Sequence, residues 1–135
     1  ATRSGHCEVA DILLQRGVDI NAKNDRGETA LHIAVEKEAF ALVNLLIDNG
    51  IDIDAKDYAT ESTALHIAIE KSNSKLISLL LERHADVNSK NSYGETALHL
   101  TTDMNLNEEC TLIMKRGANI NSRDNFGDTP FYFAV

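Results

Sequence analysis

The strongest constraint on what this chain can fold into is that it repeats itself. Four segments fall into register: Gly27-Glu28-Thr29-Ala30-Leu31-His32, Glu61-Ser62-Thr63-Ala64-Leu65-His66, Gly94-Glu95-Thr96-Ala97-Leu98-His99 and Gly127-Asp128-Thr129-Pro130-Phe131-Tyr132. Their threonines are 34, 33 and 33 residues apart. A second motif keeps the same phase: Gly17-Val18-Asp19-Ile20-Asn21, Gly50-Ile51-Asp52-Ile53-Asp54, His84-Ala85-Asp86-Val87-Asn88 and Gly117-Ala118-Asn119-Ile120-Asn121. Two motifs holding one period imply stacked units, each too small to bury its apolar side alone.

Each unit reads as two short helices and a turn. Thr29, Thr63, Thr96 and Thr129 precede apolar stretches, where a hydroxyl can accept a bond from an orphan helix N–H. Pro130 follows at the first helical position, where a missing N–H costs nothing. Polar breaks end the first helices at Glu36-Lys37-Glu38, Glu70-Lys71-Ser72-Asn73 and Asp103-Met104-Asn105. The second helices show apolar residues at helical spacing: Leu42, Val43, Leu45, Leu46 and Ile47, then Leu76, Ile77, Leu79, Leu80 and Leu81, then Leu112, Ile113 and Met114. Gly17, Gly50 and Gly117 stop these helices by entering the left-handed conformation; His84, in the same place, should do so at a cost of about 1 kcal/mol. Between helix pairs, stretches such as Ile20 to Gly27 carry extended residues and a turn signature, and should project as fingers.

Composition narrows the function classes. The chain has 135 residues, 43% of them hydrophobic, enough for a real core but with no Trp and only 5% aromatics. That core must come from Leu, Ile, Val and Ala. A net charge of −8 repels phosphates, and the Lys and Arg residues are scattered, so nucleic acid is not the expected partner. No apolar run reaches the ~20 residues of a membrane span, and no signal-peptide pattern opens the chain. Cys7 and Cys110 are too few for a disulfide-stapled scaffold. Two unpaired thiols are expected, with one long-range bridge as the alternative. The expectation is a soluble intracellular protein, in the cytoplasm.

On the Thr-to-His motif, the in-phase Gly-x-Asp-x-Asn motif and the 33-residue period, the chain resembles the ankyrin repeat family along its whole length. The resemblance implies an all-α solenoid of stacked helix-turn-helix units with projecting β-hairpin-like fingers. In family register, 1–23 is a partial repeat, with Gly5 to Leu14 as its second-helix region. Residues 24–56, 57–90 (with one inserted residue) and 91–123 are full repeats, and 124–135 opens another. Neither end shows the polar face of a terminal cap, so the expectation is a piece of a longer array. Three departures stand out. Residues 57–63 hold the extra residue, with Glu61 in the usual glycine's place, so the second finger should be reshaped. Thr101-Thr102 replace the apolar pairs Ala34-Val35 and Ala68-Ile69, and either bond back to the preceding turn or pack less tightly. Asp54 replaces the asparagine of positions 21, 88 and 121.

No residue pattern supports catalysis, a cofactor or a metal. His32, His66 and His99 recur once per unit, and stacked helices hold equivalent atoms roughly 10 Å apart. Zinc needs its ligands within about 2 Å of one ion, so the row cannot share one. Each ring should instead hydrogen-bond backbone at its helix start, the role the resemblance also implies. His6 and His84 have no ligand-spaced partner. There is no nucleophile elbow and no phosphate-cradling glycine loop. His6 and Cys7 are neighbours on a helix and point apart, so they form no dyad. Asp19, Asp52 and Asp86 recur in phase, which suggests turn bonding rather than acid–base work.

The resemblance implies a binding module whose concave face, made of finger tips and exposed first-helix residues, takes a protein or peptide. By position the finger residues are Asp25, Arg26, Tyr58, Ser92, Tyr93, Asn125 and Phe126, and the helix residues are Glu36, Lys37, Glu70, Lys71, Asp103 and Met104. Arg3 and Ser4 fit the corresponding place in the partial first unit. Tyr58, Tyr93 and Phe126 lie at comparable finger positions, and either form an anchoring row or each cover the neighbouring finger. The acidic balance favours a neutral or basic partner, bound less tightly at high salt. The alternative function is a regulatory array that masks or positions an enzyme, channel or transcription factor. Some ankyrin arrays are also asparagine-hydroxylated in an Asp-Val/Ile-Asn motif, which Asn21 and Asn88 match and Asn121 resembles.

Overall fold

The computed structural model describes residues 20–130. Residues 1–19 and 131–135 lie outside that description, and with them the expectations for Arg3, Ser4, His6, Cys7, Gly17, Asp19, Phe131 and Tyr132. Six helices are described: α1 (Ala30–Glu36), α2 (Phe40–Asp48), α3 (Ala64–Glu70), α4 (Ser74–Glu82), α5 (Ala97–Asp103) and α6 (Asn107–Lys115). They form three antiparallel pairs. The first helices α1, α3 and α5 pack in sequence, as do the second helices α2, α4 and α6.

A seven-residue helix is two turns, far below the length that is stable alone in water. What holds α1, α3 and α5 is a cap repeated three times over. Thr29, Thr63 and Thr96 are the N-caps, with φ/ψ of −87/171°, −87/171° and −90/173°. In each, the threonine amide donates to Nδ1 of the histidine three residues on, at 3.1 Å. All three threonines fall at equivalent places in successive layers, as the period requires.

Apolar burial follows the predicted faces. Leu65, Ile69, Leu76, Ile77, Leu80, Leu81, Leu98 and Ile113 are fully buried, with Leu31 and Leu46 at the near end of the same core. The middle pair is enclosed on both sides, and all five predicted apolar positions of α4 are buried there. In α2 only Val43 and Leu46 reach that level, and Met114 of α6 is exposed.

The second helices end as expected. Gly50, His84 and Gly117 have φ of 85°, 67° and 92°, so His84 does adopt the left-handed conformation. Sequence reasoning missed a second such position in every pair: Glu38, Ser72 and Asn105, at φ of 56°, 54° and 58°, turn the chain from first helix to second. Thr101 and Thr102 bond back. The Thr101 hydroxyl donates to Leu98 O, and that of Thr102 lies 2.9 Å from His99 O and 2.7 Å from Pro130 O.

The fingers are short hairpin-like turns, and no strand occurs among the described residues. Asn24, Asn91 and Asp124 each donate their amide to the carbonyl four residues on, leaving too few residues for a ladder. The second finger is reshaped as the extra residue demands: Asp57 N donates to Ser62 O, five residues on, and Glu61 takes φ of 52°. The Asp57 carboxylate accepts the amides of Thr60 and Ser62 to hold that wider turn.

Candidate partner-binding face

Four periodic contacts tie each finger and helix pair to the next, and they make the face a rigid platform. First, the regular spacing of the histidines carries a bridge. Since Nδ1 accepts an amide proton, the ring proton sits on Nε2, which donates to Ser62 O from His32, to Glu95 O from His66 and to Asp128 O from His99, at 2.9, 3.1 and 2.9 Å. Both nitrogens are thus committed to backbone groups. Burial pulls the His66 ring below its ordinary pKa, which favours the neutral form this geometry needs.

Second, Lys23, Lys56 and Lys90 each reach one unit ahead and donate to the carbonyl of Lys56, Lys90 and Arg123, at 2.8, 2.6 and 2.9 Å. The in-phase recurrence of a basic residue is the signal for this ladder, and sequence reasoning missed it. Third, Asn21, Asp54 and Asn88 accept the amides of Asp52, Asp86 and Asn119 through Oδ1. Asn88 also donates from Nδ2 to Gly117 O at 3.2 Å. Asp54 has no such donor when ionised, and burial followed by the charges of Asp86 and Asp52 pushes its carboxyl up. The predicted turn bonds are present too: Asp52 and Asp86 accept the amides of Asp54 and Asn88.

Fourth, the fingers touch. Tyr58 N donates to Arg26 O, Ser92 N to Thr60 O and Asn125 N to Tyr93 O. This pairing corrects the aromatic row. Tyr58 is equivalent to Ser92 and Asn125, whereas Tyr93 and Phe126 are equivalent to Arg26. The extra residue of the second finger hid this one-place offset. The Tyr58 ring lies against Gly27, where a Cβ would meet its ring carbons at 2.5 Å, and under Lys23, whose Nζ is 5.4 Å from the ring centroid. Tyr58 therefore covers the preceding finger. All three rings stay exposed, Tyr58 at 67%, Tyr93 at 55% and Phe126 at 84%, so what sets Tyr58 apart is its register and its contact with Gly27, and Tyr93 and Phe126 form the equivalent pair.

Of the other predicted residues, Asp25, Arg26, Ser92 and Asn125 are exposed at finger positions, and Glu36, Lys37, Glu70, Lys71 and Asp103 at first-helix ends. Met104 is half-buried against the core. Lys71 Nζ pairs with Glu36 Oε1 of the previous unit at 3.0 Å, an exposed ion pair of little energetic weight. Burial and the carboxylates of Glu95, Glu36 and Asp57 raise the Glu70 carboxyl above its ordinary value, so negative charge accumulates here. Tyr93, Glu95, Asp124 and Phe126 line a cleft of about 250 Å³ between the third and fourth fingers.

Helix pairs stacked through identical joints, with an open side of fingers and helix ends, define a helical-repeat scaffold. The chain belongs to the ankyrin repeat family: family models described as ankyrin repeats match residues 1–57 and 46–100, and a single-repeat model matches 93–125. It is 42% identical over 45 residues to ankyrin repeat protein FPV219 of Fowlpox virus, covering 33% of this chain and 10% of that protein. It is 38% identical over 52 residues to the human transient receptor potential cation channel subfamily A member 1, 38% of this chain and 5% of the channel. With the NF-kappa-B inhibitor cactus of Drosophila yakuba it shares 37% identity over 62 residues, 44% of this chain and 13% of that protein. The chain thus spans a small part of each relative. Ankyrin repeats mediate protein–protein interaction and are typically non-enzymatic. Among the described residues, no helix is long and apolar enough to cross a membrane.

Proposed function

We propose that this chain is a non-catalytic binding module, with repeats at 24–56, 57–90 and 91–123, that takes a protein or peptide on its concave face of fingers and first-helix ends. The observation that carries this is the exposure of Tyr93 and Phe126 on a side whose backbone is locked by the four joints. Large aromatics on a rigid platform bind with little ordering cost. Glu95 and Asp124 line the cleft with them, and the excess of carboxylates favours a neutral or basic partner over nucleic acid. Affinity capture followed by mass spectrometry would identify the partner. Combining Tyr93→Ala with Phe126→Ala should then weaken its binding by about tenfold or more. A change within about twofold would refute the reading.

A second reading, in which the array masks or positions an enzyme, channel or transcription factor, is favoured by the likeness to a cation channel and to an NF-kappa-B inhibitor. It uses the same surface. Adding the chain to its captured target and measuring the target's activity separates the two, because only the regulatory array changes it.

A further inference from the structure

The geometry points to the cleft between the third and fourth fingers as a subsite for one arginine side chain of the partner, held between the Tyr93 and Phe126 rings and the carboxylates of Glu95 and Asp124. This rests on the reading of the concave face given above and names what it recognises. The four groups line one open cavity of about 250 Å³, room for a side chain but not for a folded element. Its chemistry is two-sided: π-faces that attract cations and carboxylates that neutralise them. Part of each carboxylate is already committed. Glu95 Oε1 accepts from Asn91 Nδ2, and Asp124 Oδ1 accepts the amides of Phe126 and Asp128. Those bonds fix both groups while Glu95 Oε2 and Asp124 Oδ2 take no hydrogen bond from the described residues.

The joint between the first two fingers shows what such a place accepts. There the chain supplies its own cation, with Lys23 over the Tyr58 ring. At the later joint the corresponding Lys90 makes the same kind of backbone bond, to Arg123 O, but the aromatic residues stand one register place away. Among the described residues, no cation of the chain lies over Tyr93 or Phe126. Arginine fits better than lysine because its planar guanidinium stacks on a ring and presents a fork of donors to a carboxylate at once.

The test is a titration of the isotope-labelled 135-residue chain, followed by amide NMR, with Nα-acetyl-arginine amide, Nα-acetyl-lysine amide and the neutral Nα-acetyl-citrulline amide. The arginine probe should give saturable shifts at Tyr93, Glu95, Asp124 and Phe126, tighter than lysine, with no response to citrulline. Glu95→Gln, which keeps the acceptor for Asn91, and Phe126→Ala, at an exposed position, should each weaken it by about two- to fivefold. No saturable shift, an equal response to lysine or citrulline, or indifference to both substitutions overturns the subsite. Should the probe fail while the Tyr93→Ala and Phe126→Ala pair still abolishes capture of the whole partner, the subsite falls and the face remains. If the probe binds but that pair leaves capture unaffected, the subsite stands and the proposed face falls.

Discussion

His66 of α3 and Glu95 of the next finger are joined by a 3.1 Å hydrogen bond from ring nitrogen to carbonyl, which closes one repeat onto the next. The same ring accepts the Thr63 amide that starts its own helix. Replacing His66 with alanine strips both backbone groups of their partner and leaves a void in the most enclosed layer. The expected loss is about 3 kcal/mol, read as a lower urea midpoint. A loss near zero would mean that water replaces the ring without penalty.

The same residue sets a pH dependence. With its pKa below the ordinary 6.5, His66 binds fewer protons folded than unfolded near neutrality. Its contribution is fully present above about pH 6.5 and is lost as pH falls toward the folded value. Asp54 and Glu70 act in the opposite sense, since their raised values make the folded state take up protons first as acid is added. Stability should therefore decline as pH falls below about 6.5, and the decline should ease further into acid as those carboxyls protonate. Urea denaturation across that range checks it, and a monotonic rise on acidification contradicts it.

Asp54→Asn should stabilise the array by about 1 kcal/mol. The amide keeps the acceptor for Asp86 N, removes repulsion with Asp86 and Asp52, and adds a donor toward the His84 carbonyl, as Asn88 has toward Gly117. The gain should shrink in acid, where protonated aspartic acid already carries a donor. An unchanged midpoint at neutral pH would show that the missing donor is satisfied by solvent.

Left-handed positions give a graded set. Ser72→Gly and His84→Gly should each add about 1 kcal/mol, since both residues hold a conformation that glycine adopts freely. In reverse, Gly50→Ala meets open space and should cost only that conformational term. Gly27→Ala must also displace the Tyr58 ring and backbone, and should cost clearly more. Thermal or urea melts of the four variants test the order, and equal losses at Gly27 and Gly50 would break it.

The fold was readable because its determinants recur. Threonine caps, histidines and helix-ending glycines are each anomalous once and informative when repeated at one spacing. The joints were harder. Lys23, Lys56 and Lys90 look like ordinary solvated cations until their reach to the next unit is known, and Glu38 carries no glycine to mark its turn. The Tyr58 offset was hidden for a physical reason: one inserted residue shifts register within a finger, and only the Tyr58-to-Arg26 bond shows on which side the shift falls. The closing of the Tyr58 ring over Gly27 is likewise something that pattern alone does not display.

Because every lysine of the ladder clasps the layer ahead of it, the joints are interchangeable parts. Cutting out residues 57–90 would bring Lys56 opposite the Arg123 carbonyl, His32 opposite that of Glu95, and Asp54 opposite the Asn119 amide. The chain would lose one storey of its height and keep the same grammar at every seam, so such an array can be lengthened or shortened in whole units without redesigning what joins them.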